Sequence, residues 1–111
     1  MTDVRNYIKN NIKPKRIVAV KDVVRIISDF YNIKEESIYE KTRHKEVIRP
    51  RQIIMYILRE DFNISYPSIG QKLGGRDHTT VIHSCEKIKN DIKLDQTLVD
   101  EVGQIRNLIT V

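Results

Sequence analysis

The sequence predicts an all-α domain, and three observations carry that prediction. Apolar residues recur at helical spacing in the stretches beginning at Val20, Val81 and Leu98. Strand-like alternation of apolar and polar residues is scarce. Helix-starting and helix-ending residues (Ser65, Gly74-Gly75, Asp77) stand between successive stretches.

Taken in order, residues 2–10 suit a short helix, and Asn11 to Ile17, with Pro14, read as a connector. Val20, Val23, Val24, Ile27, Phe30 and Tyr31 then share a face, giving a helix near 20–31 that Asn32 stops. Glu35 to Glu40 suits a short helix carrying Ile38 and Tyr39 inward, and 41–48 reads as a basic loop. Pro50 fits the first turn of the next helix, where its missing N–H costs nothing. The unbroken run Ile53 to Leu58 could by itself be a buried strand. Its Arg-Pro-Arg-Gln start and Arg59-Glu60 end carry it past strand length, so a central helix is expected near 50–62. A helix over 66–73 follows, with Ser65 as N-cap and Gly74-Gly75 as its positive-φ stop. Asp77 is expected to cap a helix over 78–92. A last helix near 95–109 carries Leu98, Val102, Ile105 and Leu108 and is weakened by Gly103. Residues 1–19 form a basic segment with no assigned role, and 20–111 form one helical domain.

A chain of 111 residues can bury one core, and 40% hydrophobic with 32% charged residues suits a folded, soluble domain. No apolar run approaches the roughly 20 residues of a membrane span, and no signal segment opens the chain. The single Cys85 excludes an internal disulfide and suits a reducing cytoplasm. Trp is absent and aromatic residues make up only 6%, which argues against single-strand binding by base stacking. The net charge of +5 is unevenly placed. Arg5, Lys9, Lys13, Lys15, Arg16 and Lys21 stand against Asp3 alone, and Lys41, Arg43, Lys45, Arg49 and Arg51 against Glu46 alone. Residues 91–111 reverse the balance, with Asp91, Asp95, Asp100 and Glu101 against Lys93 and Arg106. One face is therefore expected to meet a polyanion and another to meet water.

The run Ser65 to His83 spells helix, tight Gly turn, helix, the geometry that places a second helix in a DNA major groove. On that second helix Val81, Ile82, Cys85, Ile88 and Ile92 share one face, and Thr79, Thr80, His83, Lys87 and Asn90 the other, at about 100° per residue. The apolar stripe docks, and Cys85 belongs to it as core. The polar stripe is left for a partner. Asp77 has two compatible readings, an N-cap and an acceptor for a cytosine amino group. His78, Thr79 and Thr80 are ordinary first-turn residues taken singly, but after a Gly-Gly turn they form a contact surface. The loop from Lys41 to Lys45 is either a solvated charged run or a source of arginine for a narrow minor groove, with Arg51 on phosphates and Gln52 on a phosphate or an adenine edge. The basic segment 1–21 either adds nonspecific affinity or only solubilises. His78 and His83 are five apart, off the spacing two zinc ligands prefer, and no metal site is expected. No phosphate loop, dinucleotide fingerprint or nucleophile elbow occurs, so neither catalysis nor a cofactor has a seat.

Ile69-Gly70, Leu73 to His83 and Lys87-Ile88, together with Arg49-Pro50-Arg51-Gln52, Met55-Tyr56 and Arg59-Glu60, resemble the C-terminal DNA-binding domain of the bacterial replication initiator DnaA. The resemblance runs from about residue 20 to about residue 109 and is most specific at Gly74 to Thr80. It implies a Trp-repressor-like helical domain that binds the duplex boxes of replication origins, close to TTATCCACA, as a monomer on each box. By motif position Asp77, His78, Thr79 and Thr80 would enter the major groove and Arg43 the adjacent minor groove. Arg51, Gln52, Arg59, Pro67 and Lys87 would touch backbone or nearby bases, and Arg76 would support the turn. Ile48, Glu46 and Tyr66 depart from the family's usual Ala, basic loop and Leu. The family's AAA+ ATPase domain has no counterpart in these residues, so box binding is implied and ATP-dependent origin melting is not.

The expected partner is thus double-stranded DNA rather than a membrane, in a cytoplasmic, nucleoid-associated protein. A small transcriptional regulator or an antagonist occupying the boxes is the nearest rival. A protein-interaction module docking on the His83 and Lys87 face is the rival of another class.

Overall fold

The computed structural model describes residues 19–41 and 43–110; the expectations for 2–10 and 11–17, and the basic segment before Ala19, lie outside the described residues. Among these residues every regular element is a helix: α1 (Val20–Tyr31), α2 (Glu35–Tyr39), α3 (Lys45–Glu60), α4 (Tyr66–Lys72), α5 (His78–Ile92) and α6 (Gln96–Thr110). The all-α expectation holds, with helix ends within two residues of their expected places except at the start of α3.

α3 is the axis of the fold. Residues 53–58 are buried on every side of it, which is why they read as an unbroken apolar run rather than as a stripe. α1, α2, α4 and α5 all pack on it, α5 most extensively, and α6 closes the far side against α1 and α5. Val23, Val24 and Ile27 from α1, Ile38 from α2, Ile69 and Leu73 from the α4 region, Val81, Cys85 and Ile88 from α5, and Leu98, Val102 and Ile105 from α6 complete the core. The apolar stripes read from the sequence are mainly the faces that dock; the exception is Leu108 on α6, expected inward but 52% exposed, while Ile109 beside it is buried.

The stops are as local as expected. Asn32 takes the left-handed conformation at φ 58°, where an Asn side chain is tolerated. Ser65 Oγ accepts from Ser68 N at 3.3 Å, capping α4. Gly74 and Gly75 lie at φ 92° and 76°, supplying the turn that no β-carbon favours.

The start of α3 is a correction. The expected loop over 41–48 ends at His44, and α3 begins a turn earlier than Pro50. Val47 N and Ile48 N donate to His44 O at 3.0 and 3.2 Å, and Val47 sinks into the core, so burial draws this turn into the helix. Pro50 then stands inside the helix, where α3 lacks one N–H toward the preceding turn. Its ring is itself buried, which offsets that loss. No described helix is long and apolar enough to cross a membrane.

Candidate nucleic-acid interface

The interface is built outward from the turn between α4 and α5. Gly70 and Gly74 let that turn press against its neighbours: a β-carbon on Gly70 would stand 2.1 Å from Arg76 O, and one on Gly74 2.3 Å from Tyr39 O. Arg76 N also donates to Gly70 O at 2.7 Å. The turn is thereby held between its own preceding helix and the end of α2. From it α5 leaves with Asp77, His78, Thr79 and Thr80 all exposed, while Val81, the next residue, is buried. The division expected along α5 is present, with His83, Lys87 and Asn90 exposed and Cys85 and Ile88 buried. Burial pushes the Cys85 thiol up to about 11, which suits a core residue and not a nucleophile.

Asp77 occupies the N-cap position of α5, but its carboxylate makes no capping hydrogen bond. It lies 3.6 Å from His78 Nδ1 and is two-thirds exposed, 66%. The expected cap is corrected accordingly: the side chain has turned outward beside the imidazole, where it is available to a ligand.

Beside this turn lies a shallow cleft of about 320 Å³ lined by Lys41, Arg43, Ile48, Arg51, Arg76 and Thr80. Four cations and no acid line it, so it favours an anion or a strip of strongly negative potential. The cleft joins the loop carrying Arg43 to the first turn of α5 through Thr80, bringing together the two segments that the sequence had singled out separately. Lys41 belongs to this group although it was counted only as part of the loop's charge; its neighbour Arg43, two residues on, was the available signal.

Two of the expected contacts sit differently. Arg51 is only 8% exposed. Its Nε donates to Ile38 O at 3.0 Å, and its Nη2 to Ser37 O and Glu40 O, each at 2.9 Å. The guanidinium expected on phosphates is here bonded to carbonyls at the end of α2. Arg76, half-buried, places Nη2 on Ile38 O at 3.2 Å and on Glu40 O. Burial lowers the pKa of both guanidiniums, and the Arg76 charge lowers that of Arg51 further.

The remaining expected residues do not line this cleft. Gln52 is half-buried beside Arg51, and Pro67 is exposed at the second position of α4. The Arg59 guanidinium lies over the Tyr66 ring, 4.6 Å from its centroid, and donates to Ile64 O at 3.3 Å. Lys87 Nζ is 3.5 Å from Asp91 Oδ2, and the same carboxylate takes Arg49 Nη1 at 2.9 Å. That tie was not read from the sequence. Among the described residues no group of three or more His, Cys, Asp or Glu side chains could hold a metal ion.

Residues 20–88, well over half of the chain, match the bacterial DnaA protein helix-turn-helix family. The match covers α1 to α4 and most of α5, including the cleft and the whole exposed first turn of α5. The chain belongs to that family, and its partner class is double-stranded DNA, bound through a helix-turn-helix in replication initiation.

Proposed function

We propose that this domain binds duplex DNA sequence-specifically at DnaA-box-like sites close to TTATCCACA, one domain to a box, in the initiation or regulation of chromosome replication. The observation that carries the reading is the junction of the exposed Asp77-His78-Thr79-Thr80 turn with a cleft lined by cations and bearing Arg43. A helix start of that shape presents short donors and acceptors to base edges, and Thr methyl groups suit thymine methyls. Arg43 reaches the adjacent minor groove, whose narrow A·T stretches attract a guanidinium. Gln52, Arg59, Pro67 and Lys87 meet the phosphate backbone and set register. Arg51 and Arg76 act from beneath.

The test is an anisotropy titration of a labelled duplex holding one TTATCCACA box, beside a scrambled duplex, at two salt concentrations. The expected result is a box preference of about a hundredfold or more that survives the higher salt. Equal binding that collapses with salt would leave only a basic surface and overturn base readout.

A further inference from the structure

Two arginines from different elements converge on the same carbonyls. Arg51, on α3, and Arg76, at the root of α5, both donate to Ile38 O and to Glu40 O, and Arg51 adds Ser37 O. These carbonyls end α2, a helix of five residues that is too short to hold its shape alone. Their negative dipole end is where cations are favoured. Arg51 spreads its bonds over Nε and Nη2, a planar fork, whereas Arg76 serves both carbonyls from Nη2 alone, one atom beyond where a lysine ammonium would end. Gly74, whose missing β-carbon admits Tyr39 O, brings the turn close enough for the bridge to form.

What the bridge joins matters more than what it caps. Glu40 immediately precedes the loop that carries Arg43, and Arg76 immediately precedes Asp77. A single hydrogen bond, from Arg76 to Glu40 O, therefore links the root of the minor-groove segment to the root of the major-groove helix. From Glu40 to Arg43 the chain can span at most about 10 Å, so the root position limits where Arg43 can reach. Readers in two grooves of one duplex must hold their mutual spacing to within about 0.5 Å to bond bases together.

We infer that Arg51 and Arg76 are positioning residues that fix the register between the Arg43 loop and the start of α5, and so set box discrimination without touching DNA. The inference rests on the reading above that both segments contact DNA. It differs from a phosphate role in one measurable respect. A phosphate ligand contributes about 0.9 to the slope of log affinity against log salt, whereas a residue that only positions others contributes none.

The experiment uses the full chain and the variants R51K, R76K and R76M, titrated against the box and scrambled duplexes across a salt series. Circular dichroism melts set an assay temperature at which every variant is folded. The expected result is a box preference reduced about tenfold or more in R76K and R51K, with the scrambled duplex bound within about twofold of wild type. R76M is expected to lose the same preference with the salt slope unchanged. A wild-type box preference retained in R76K, or a slope lowered by about 0.9 in R76M with both duplexes weakened alike, would make Arg76 a phosphate ligand and overturn the inference. If R51K does not fold, R76K and R76M on the half-buried Arg76 decide the matter. No box preference in wild type would instead overturn the functional reading itself, and the specificity role with it.

Discussion

The Arg49 guanidinium holds the Asp91 carboxylate at 2.9 Å, tying the first turns of α3 to the last turn of α5 across 42 residues of sequence. Lys87 Nζ approaches the same carboxylate at 3.5 Å, so one acid gathers two cations along the helix expected to read DNA. Chiefly through the hydrogen bond from Arg49, this holds the Asp91 pKa below the usual carboxylate value of 3.8. A depressed folded-state value makes the pair stabilising above pH 3.8, and that stabilisation is lost as pH falls from there through the folded value. Asp91→Asn should therefore lower stability at pH 7 by about 0.5–1 kcal/mol, a modest figure because Arg49 is part-exposed. The gap from wild type should narrow below pH 3.8. Thermal melts of both proteins across pH 2–7 check this, and a gap that does not change with pH would remove the ion pair as its cause.

Glycines 74 and 103 should respond to the same substitution with opposite signs. Gly74 stands at φ 92° with Tyr39 O where its β-carbon would be, so Gly74→Ala meets both strain and a backbone clash. A loss of about 2 kcal/mol or more is expected. Gly103 lies in the middle of α6, exposed, with open space around the position of a β-carbon. There Ala should stabilise by about 0.5–1 kcal/mol through helix propensity. Urea unfolding of the two variants measures both. Destabilisation by Gly103→Ala would mean that α6 packs differently from the arrangement described.

These two glycines also mark what the sequence disclosed and what it did not. Gly74-Gly75 was legible as a turn, and α5 as a two-faced helix, because both depend on residues close together in the chain. The start of α3 was hidden because Pro50 satisfies a local rule for a first turn, while the burial of Val47, a tertiary effect, adds another turn before it. Arg51 looked like a surface cation because a sequence displays charge without its partner. Its partners are carbonyls 11 to 14 residues earlier, which no charge count contains. The Arg49–Asp91 tie escaped for the same reason at longer range.

Tyr31 supplies a second test of packing, at the contact between α1 and α6. Its hydroxyl donates to Glu101 Oε1 at 2.7 Å, linking α1 to α6. Burial, then the Glu101 hydrogen bond, raises its pKa well above the ordinary 10.0. A raised folded-state value leaves the contribution intact below pH 10.0 and removes it as pH climbs beyond, because the unfolded chain ionises first. Tyr31→Phe should cost about 1–2 kcal/mol at neutral pH. Melts up to pH 10 should keep wild type above the variant, with the gap narrowing at more alkaline pH. A gap that closes by pH 8 would mean the hydroxyl is not held as described.

His78 and Lys87 lie on the same helix and should fail in different ways. His78 is exposed in the first turn of α5, next to the outward Asp77 carboxylate, where a side chain can bond a base edge. His78→Ala should weaken the box duplex by about 1–3 kcal/mol and leave the scrambled duplex almost unchanged, so that preference falls while the salt slope stays. Lys87 is two turns further along, where a cation meets phosphate whatever the sequence. Lys87→Ala should weaken both duplexes alike and lower the slope by about 0.9. Asp91 tempers this contact, since its carboxylate already holds Lys87 when no DNA is present. Asp91→Asn should accordingly strengthen both duplexes slightly, an effect that disappears when Lys87→Ala is added. If His78→Ala kept full box preference, the reading helix would be assigned wrongly. If Lys87→Ala altered preference without altering the slope, Lys87 would be reading bases and not phosphate.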